Sequence, residues 1–296
     1  MKVALIGTGL MGRPMAERLL AAGYQLSVFN RNRDKAEPLQ SAGAQIAGSA
    51  AEAIRPVHCV ILMLSDAGAI RQVILDSRPR PELNGRTVIQ MGTISPCESI
   101  DFQREVRQRG GDYLEAPVLG SIPEATAGNL LVMVGGSKSQ FDRWSGLFQI
   151  FGPQPLLIGK VGKASALKLA MNQLILSLTA GFSMSLGFVQ KYEIEVDLFM
   201  KILRQSALYA PTFDKKLQRM LNRDYTRPNF PGKHLAKDLR LFHAEAEAVH
   251  LDLSVIEGLD RILALTFKKG FAESDYSALY EAVNPSEDQS SEARSR

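Results

Sequence analysis

Lys2-Val-Ala-Leu-Ile-Gly-Thr-Gly-Leu-Met-Gly12 is the stretch whose reading decides the fold. Residues Lys2–Ile6, apolar from Val3 on, predict a fully buried strand, and glycines follow at once at 7, 9 and 12. Met11, Met15 and Leu19 then recur at helical spacing up to Gly23, a helix stop, and Gln25–Phe29 predicts a second strand. A lone Gly-x-Gly-x-x-Gly is weak, but strand, glycine loop, helix and strand in this order are the context that a dinucleotide fingerprint requires. Gly7 would allow the tight turn, Gly9 the approach of backbone to a pyrophosphate, and Gly12 the close seating of helix on strand. The helix start would offer free N–H groups and partial positive charge to phosphates. Thr8, Leu10 and Met11 are therefore expected cofactor contacts together with the three glycines. The competing reading is a structural glycine turn with no ligand.

The end of the second strand bears on which dinucleotide fits. An NAD site places an acid there to hold the ribose hydroxyls. This strand ends Phe29-Asn30-Arg31-Asn32-Arg33, with Lys35 close behind and no carboxylate before Asp34. A guanidinium at Arg31 suits a 2′-phosphate, so NADP(H) is favoured over NAD(H). Asp34 is expected to cap the next helix. The alternative is that these arginines are solvated surface.

Strands and helices keep alternating. Strands are predicted at 57–64, 87–91, 113–116, 130–134 and 155–158, and helices at 67–76, 95–109 and 139–150. Repeated βα units imply an α/β, doubly wound, mostly parallel sheet of the Rossmann type. Its strand-end loops, Leu64-Ser65-Asp66 and Gly92-Thr93-Ile94-Ser95, should face the cofactor cleft. Pro79-Arg-Pro-Glu82 is read as a surface connection, and Gly135-Gly136 as a turn.

After Lys160 the pattern becomes all-helical, with helices predicted at 164–191, 196–205, 211–222, 232–249 and 254–269. The expected division is a dinucleotide-binding domain at 1–162, an all-α domain at 163–284 built on a long interdomain helix, and a disordered tail at 285–296. Lys168 is the only charge between 164 and 190, and Asn172 lies four residues on, so the two share a helix face. On position alone Lys168 could be a snorkelling side chain.

With 296 residues, 45% hydrophobic and 22% charged, the chain can hold two ordinary cores. A net charge of +4 from scattered basic residues excludes a dedicated nucleic-acid surface. Met1-Lys2 runs straight into the first strand, so no signal peptide is expected, and Cys59 and Cys97 have neither metal nor redox spacing. A cytoplasmic protein with no metal and no membrane span is expected. The long helix is apolar enough to raise the membrane question, but its lysine, amides and hydroxyls favour burial between domains. His243, Glu247 and His250 could share a helix face, but a fourth ligand is missing from the pattern. Apolar residues around most of the long helix predict a homodimer or homotetramer.

Four motifs in order resemble the β-hydroxyacid dehydrogenase family, which includes 3-hydroxyisobutyrate dehydrogenase, tartronate semialdehyde reductase and the glyoxylate/succinic semialdehyde reductases. They are Gly7-Thr-Gly-Leu-Met-Gly-Arg-Pro-Met-Ala16, Glu115-Ala-Pro-Val-Leu-Gly-Ser121, Gly162 to Asn172, and Lys237-Asp-Leu-Arg-Leu241 preceded by Phe230. The resemblance covers about residues 2–284. It implies hydride exchange between NADP(H) and a small β-hydroxyacid or semialdehyde, with Lys168 as general acid/base and Asn172 orienting it and the substrate. It further implies that Lys237 lies near substrate carboxylate and cofactor, Thr93 near the nicotinamide, and Phe230 and Asp238 at the substrate. Gly120 and Ser121 would offer backbone N–H groups to the carboxylate. Two departures stand out: Leu119 replaces the family's loop serine and cannot donate a hydrogen bond, and Gln90-Met-Gly-Thr93 stands where relatives have Asp-Met-Ser-Thr. The alternatives are an imine reductase on a similar scaffold and a cofactor-binding protein without turnover.

Overall fold

The computed structural model describes residues 1–77 and 80–285; Pro79 and the expected tail from residue 286 onward lie outside the described residues. Two compact units emerge, Met1–Leu169 and Ala170 onward, and the division falls inside the long helix.

In the first unit, β1 (Lys2–Ile6), β2 (Gln25–Phe29), β3 (Gln45–Ile46), β4 (Cys59–Leu62), β5 (Thr87–Gln90) and β6 (Asp112–Glu115) are joined by α1 (Gly12–Ala21), α2 (Ala50–Ile54), α3 (Ala67–Ile70) and α4 (Pro96–Gln108). Next come β7 (Val118–Leu119), α5 (Ile122–Ala127), β8 (Leu131–Gly135), α6 (Lys138–Phe151) and β9 (Leu156–Gly159). The sheet order is β3-β2-β1-β4-β5-β6-β8-β7, with β9 also on β8. Pairing is parallel except where β8 meets β6 and β7, in keeping with the expected doubly wound, mostly parallel sheet.

Successive strand residues serve opposite layers, as the two-residue period demands. Val3 and Leu5 join Met15 and Leu19 of α1 and Trp144 and Phe148 of α6 in one core. Ala4 and Ile6 join Ile54, Ile74, Phe102 and Val106 in the other. Each Val, Leu, Ile, Phe or Met among them, buried completely, contributes about 1.5–3 kcal/mol. With both faces covered, residues 3–6 of β1 and all of β4 read as unbroken apolar runs.

Strand order reverses between β1 and β4, the topological switch point at which such sheets bind ligands beyond the carboxyl ends of their strands. Ile6 pairs with both Phe29 and Leu62, and Leu62 with Gln90. The loops opening at Gly7, Asn30, Met63 and Met91 thus start level with one another.

Local departures from the sequence expectations have local causes. Asn32, not Asp34, caps the turn after β2: its side chain accepts from the Asp34 N–H at 3.0 Å. The helix expected over 67–76 is α-helical only to Ile70 and continues as a π turn over Arg71–Leu75. The unpredicted β3, α2, β7 and α5 span two to six residues each, too short to show a period.

The long helix α7 (Lys163–Lys191) crosses from the first unit into the second. The second unit holds the rest of α7 with α8 (Val196–Gln205), α9 (Pro211–Leu221), α10 (Gly232–Ala248), α11 (Ser254–Lys268) and α12 (Tyr280–Val283). Leu176 and Ala180 pack with Leu235 and Leu239 of α10 and Leu259 and Leu263 of α11. Phe182 stacks on Phe213 of α9 with ring centres 4.7 Å apart. By length and composition α7 could cross a membrane, with a mean hydropathy of 1.3, and 44% of that stretch is buried within the protein. Leu174, Leu178, Met184 and Phe188 form an exposed stripe along it.

Candidate active site

At the carboxyl end of β1 the three glycines have separable roles. Gly7 has φ +99°, and a Cβ there would stand 2.3 Å from the Met63 carbonyl oxygen. A Cβ on Gly12 would stand 1.9 Å from the Gly7 carbonyl oxygen, so α1 sits too close to the turn for any side chain. A Cβ on Gly9 would meet nothing within 4 Å. The protein's own packing explains Gly7 and Gly12, while Gly9 leaves open backbone where a pyrophosphate would approach. The buried Thr8 hydroxyl has no hydrogen-bond partner among the described residues, an orphan that a phosphate at the loop would satisfy. A dinucleotide therefore fits this loop.

Asn30 proves to be a brace. Its Oδ1 accepts from the Thr8 N–H at 3.0 Å, and its Nδ2 donates to the Asn32 carbonyl at 2.8 Å, tying the end of β2 to the glycine loop. Arg31 and Lys35 are exposed beside it. At the next loop Leu64 is half-buried against Gly7, and the Ser65 hydroxyl donates to Asp66, which caps α3. A Cβ on Gly92 would lie 2.4 Å from the Leu64 carbonyl oxygen, which explains the glycine before Thr93. The buried Gln90 amide closes on Gly92 from both sides, donating to its carbonyl at 3.0 Å and accepting from its N–H at 2.6 Å. An ionised carboxylate could accept there but not donate, so an acid at position 90 could make only one of these two bonds. Thr93 is half-buried next to them.

The loop expected to bind carboxylate is only partly open. Gly120 has φ +140°. The Ser121 N–H and hydroxyl both reach Glu124 Oε2, at 2.8 and 2.7 Å, in the capping box that starts α5. This corrects the sequence expectation: the Ser121 N–H serves its own helix rather than standing open to a substrate. Half-buried Leu119 is held in β7 opposite Leu131 of β8.

Lys168 is 8% exposed on the second turn of α7. The start of α7 carries a feature that sequence reading missed. The Glu115 carboxylate, 1% exposed at the end of β6, accepts from the N–H groups of Gly162, Ala164 and Ser165 at 2.8, 2.9 and 3.1 Å. It accepts as well from the hydroxyls of Ser165, at 2.7 Å, and Ser99. A carboxylate alone in the apolar strand Tyr113-Leu-Glu-Ala116, facing a helix without acid in its first turn, was the available signal. Gly135 is more than a turn residue, since a Cβ there would stand 2.4 Å from Glu115 Oε1.

Within the second unit, Asn172 Nδ2 donates to Asp238 Oδ2 at 2.6 Å. The other oxygen of buried Asp238 has no hydrogen-bond donor among the described residues but lies 2.7 Å from Lys237 Nζ, an ion-pair contact. Burial, with Lys233 and Lys237 adding to it, holds the imidazole of neighbouring His234 below its ordinary range. Phe230 meets Tyr276 edge-on at 6.0 Å, and its carbonyl accepts from the Tyr276 N–H at 3.1 Å. Burial pushes that tyrosine's phenol up to about 12. Beneath the loop, Lys216 Nζ donates to both oxygens of Asp275 at 2.7 and 2.9 Å and lies 4.2 Å from the Tyr276 ring centre. Burial pulls the Lys216 ammonium down. Burial would also push Asp275 up, but Lys216 and Ser277 outweigh it and leave that carboxyl below its ordinary range.

Among known proteins, residues 2–159 match the family described as the NAD binding domain of 6-phosphogluconate dehydrogenase, and residues 162–283 the NAD-binding domain of NADP-dependent 3-hydroxyisobutyrate dehydrogenase. The chain is 31% identical to glyoxylate/succinic semialdehyde reductase 1 of Arabidopsis thaliana over 96% of its own length and 98% of that protein's. It is 32% identical to 2-hydroxy-3-oxopropionate reductase of Escherichia coli, over 96% and 97%. The crystal structure of a 3-hydroxyisobutyrate dehydrogenase from Salmonella typhimurium superposes with a TM-score of 0.86 at 24% identity, covering 95% of this chain and 99% of that one, a likeness of fold. With the dinucleotide loop built as described and relatives matched from end to end, the chain belongs to the β-hydroxyacid dehydrogenase family, nicotinamide-dependent oxidoreductases acting on CH–OH groups.

Proposed function

We propose that this chain interconverts a small β-hydroxyacid and its semialdehyde, of the 3-hydroxyisobutyrate or succinic semialdehyde/glyoxylate type, using NADP(H), with Lys168 as general acid and base. The observation that carries this reading is Lys168 itself: a lysine only 8% exposed on an otherwise uncharged stretch of α7, one turn before an asparagine held by a carboxylate. A surface lysine that merely snorkels would keep its head in water.

A dinucleotide held at the glycine loop would supply the hydride from its nicotinamide. As negative charge grows on the substrate's carbonyl oxygen, the Lys168 ammonium stabilises and then protonates that oxygen, leaving a neutral amine and the alcohol. In the other direction the amine takes the hydroxyl proton. Asp238 can only accept, so it draws the NH₂ end of Asn172 toward itself. The amide oxygen is then turned the other way, the orientation in which it can accept from a substrate hydroxyl or from Lys168. Lys237, close to Asp238, offers a cation for a substrate carboxylate. Leu119 removes one hydrogen-bond donor from the loop, favouring substrates with apolar bulk near that end.

The preference for NADP(H) is supported by exposed Arg31 and Lys35 at the end of β2, where Asn30 serves as a brace and no acid stands ready for ribose hydroxyls. The exposed apolar stripe of α7, with Leu198 and Ile202 of α8, supports a homodimer or homotetramer. Sedimentation at micromolar concentration should then give a multiple of 32.5 kDa.

The deciding experiment is NADPH oxidation at 340 nm against glyoxylate and the succinic, methylmalonate and tartronate semialdehydes, with Lys168→Ala in parallel. Turnover of at least one substrate, reduced by roughly 10²–10⁴-fold in the variant, is expected. NADPH binding without oxidation across the panel would sink the proposal.

A further inference from the structure

We infer that Glu115 is the positioning residue for the proton-transferring lysine: its buried carboxylate sets where α7 begins and how it is turned, and thereby where Lys168 sits. The inference rests on the reading of Lys168 as general acid and base.

Five donors converge on this one carboxylate. Three are backbone N–H groups from Gly162, Ala164 and Ser165, which a helix start cannot satisfy within itself. An ordinary N-cap lies next to its helix in sequence and moves with it. Glu115 is 47 to 50 residues away on β6, so these bonds anchor α7 to the sheet. The N–H groups fix the helix along its axis, and the Ser165 hydroxyl, bonded to the other oxygen at 2.7 Å, fixes its rotation. Lys168 stands three residues after Ser165, on the neighbouring part of the same face.

The surroundings are shaped for a charged carboxylate at this spot. The first turn of α7 has no acid of its own, so Glu115 supplies the negative charge that the positive end of the helix attracts. Gly135 of β8 leaves the room that the carboxylate occupies, and Gly162 takes the φ of +96° that turns its N–H inward. Behind the carboxylate, Ser99 of α4 donates to it and lies 3.0 Å from the Tyr113 hydroxyl. Burial pushes that phenol above its ordinary range, so it stays protonated and can donate to Ser99 in turn. Four elements, β6, β8, α4 and α7, thus meet at a group that touches none of the reacting atoms in the proposed mechanism.

The test compares Glu115→Asp, which withdraws the carboxylate by one methylene, with wild type, Lys168→Ala and the double variant. Steady-state NADPH oxidation gives kcat and KM, and NADPH fluorescence titration gives Kd. Glu115→Asp is expected to lower kcat by roughly tenfold to a hundredfold, the effect of moving a catalytic group by about 1 Å, with the NADPH Kd changed less than about twofold. In the Lys168→Ala background the same substitution should cause no further loss of the residual rate, because the lysine it positions is gone. A merely structural role would lower both backgrounds alike. Should Glu115→Asp fold poorly, Ser165→Ala removes one hydroxyl bond and should lower kcat severalfold in the same pattern. A wild-type kcat in Glu115→Asp and Ser165→Ala, or equal losses in both backgrounds, would overturn the inference alone. An inactive wild type would overturn the reading of Lys168 and the inference together.

Discussion

Asn172 donates its side-chain N–H to Asp238 across 2.6 Å, and this bond orients an amide that could otherwise face either way. Asp238 also lies 2.7 Å from the Lys237 ammonium, so one buried carboxylate serves two of the expected substrate-handling residues. A hydrogen bond to a charged group is worth about 1.5–3 kcal/mol. Asp238→Ala should therefore lower kcat/KM roughly tenfold to a hundredfold. Asn172→Ala added to it should cost much less than it does alone, and full additivity in the double-mutant cycle would refute the coupling.

The glycine loop separates folding from binding. Gly12→Ala puts a methyl 1.9 Å from the Gly7 carbonyl and should destabilise the first unit by about 1–3 kcal/mol or more, visible as a drop in Tm. Gly9→Ala meets no protein atom within 4 Å, so its Tm should match wild type while NADPH affinity falls at least about tenfold. Equal NADPH affinity in Gly9→Ala and wild type would count against a pyrophosphate at this loop.

The proposed preference for NADP(H) assigns the 2′-phosphate to Arg31. Arg31→Ala removes a guanidinium suited to the 2′-phosphate, so kcat/KM with NADPH should fall roughly tenfold or more while that with NADH stays within about twofold. A parallel fall with both cofactors would assign Arg31 to adenine stacking or to structure.

The Lys216–Asp275 pair holds the segment that carries Phe230. Asp275 is fully buried, and truncating one partner strands the other's charge, so Asp275→Ala should cost about 3–5 kcal/mol. Its carboxyl is held below the ordinary 3.8, so the folded state binds this proton less readily than the unfolded one. The resulting stability is fully present above about pH 4 and is lost as pH falls through the lower folded value. Denaturant midpoints between pH 5 and pH 2.5 should show this loss in wild type and a weaker slope in Asp275→Asn.

The proposed function gives Leu119 a part in choosing among substrates. Leu119→Ser restores a hydroxyl beside Gly120, and kcat/KM for carboxylate-bearing semialdehydes should rise several-fold. An unchanged ranking across the substrate panel would show that β7 does not face the substrate.

Much of this was legible in the sequence because the signals were periodic or strictly spaced. Four apolar residues, 3–6, followed by Gly7, Gly9 and Gly12 announced the dinucleotide loop, and 3.6-residue apolar spacing placed the helix at 196–205 with the ends the structure gives it. The short elements β3, α2, β7 and α5 were invisible because a stretch of two to six residues carries no period.

Sequence by itself thus determined the layered fold, the dinucleotide loop and the Lys168–Asn172 spacing, because a strand, a turn glycine and an i,i+4 pair are properties of neighbouring residues. Only tertiary structure decided that Ser121 serves Glu124, that Asn30 braces the glycine loop, that Asn172 answers to Asp238, and that Glu115 anchors α7. A side-chain hydrogen bond depends on which group stands within about 3 Å. Between residues as far apart as 115 and 162, the folded chain alone fixes that distance.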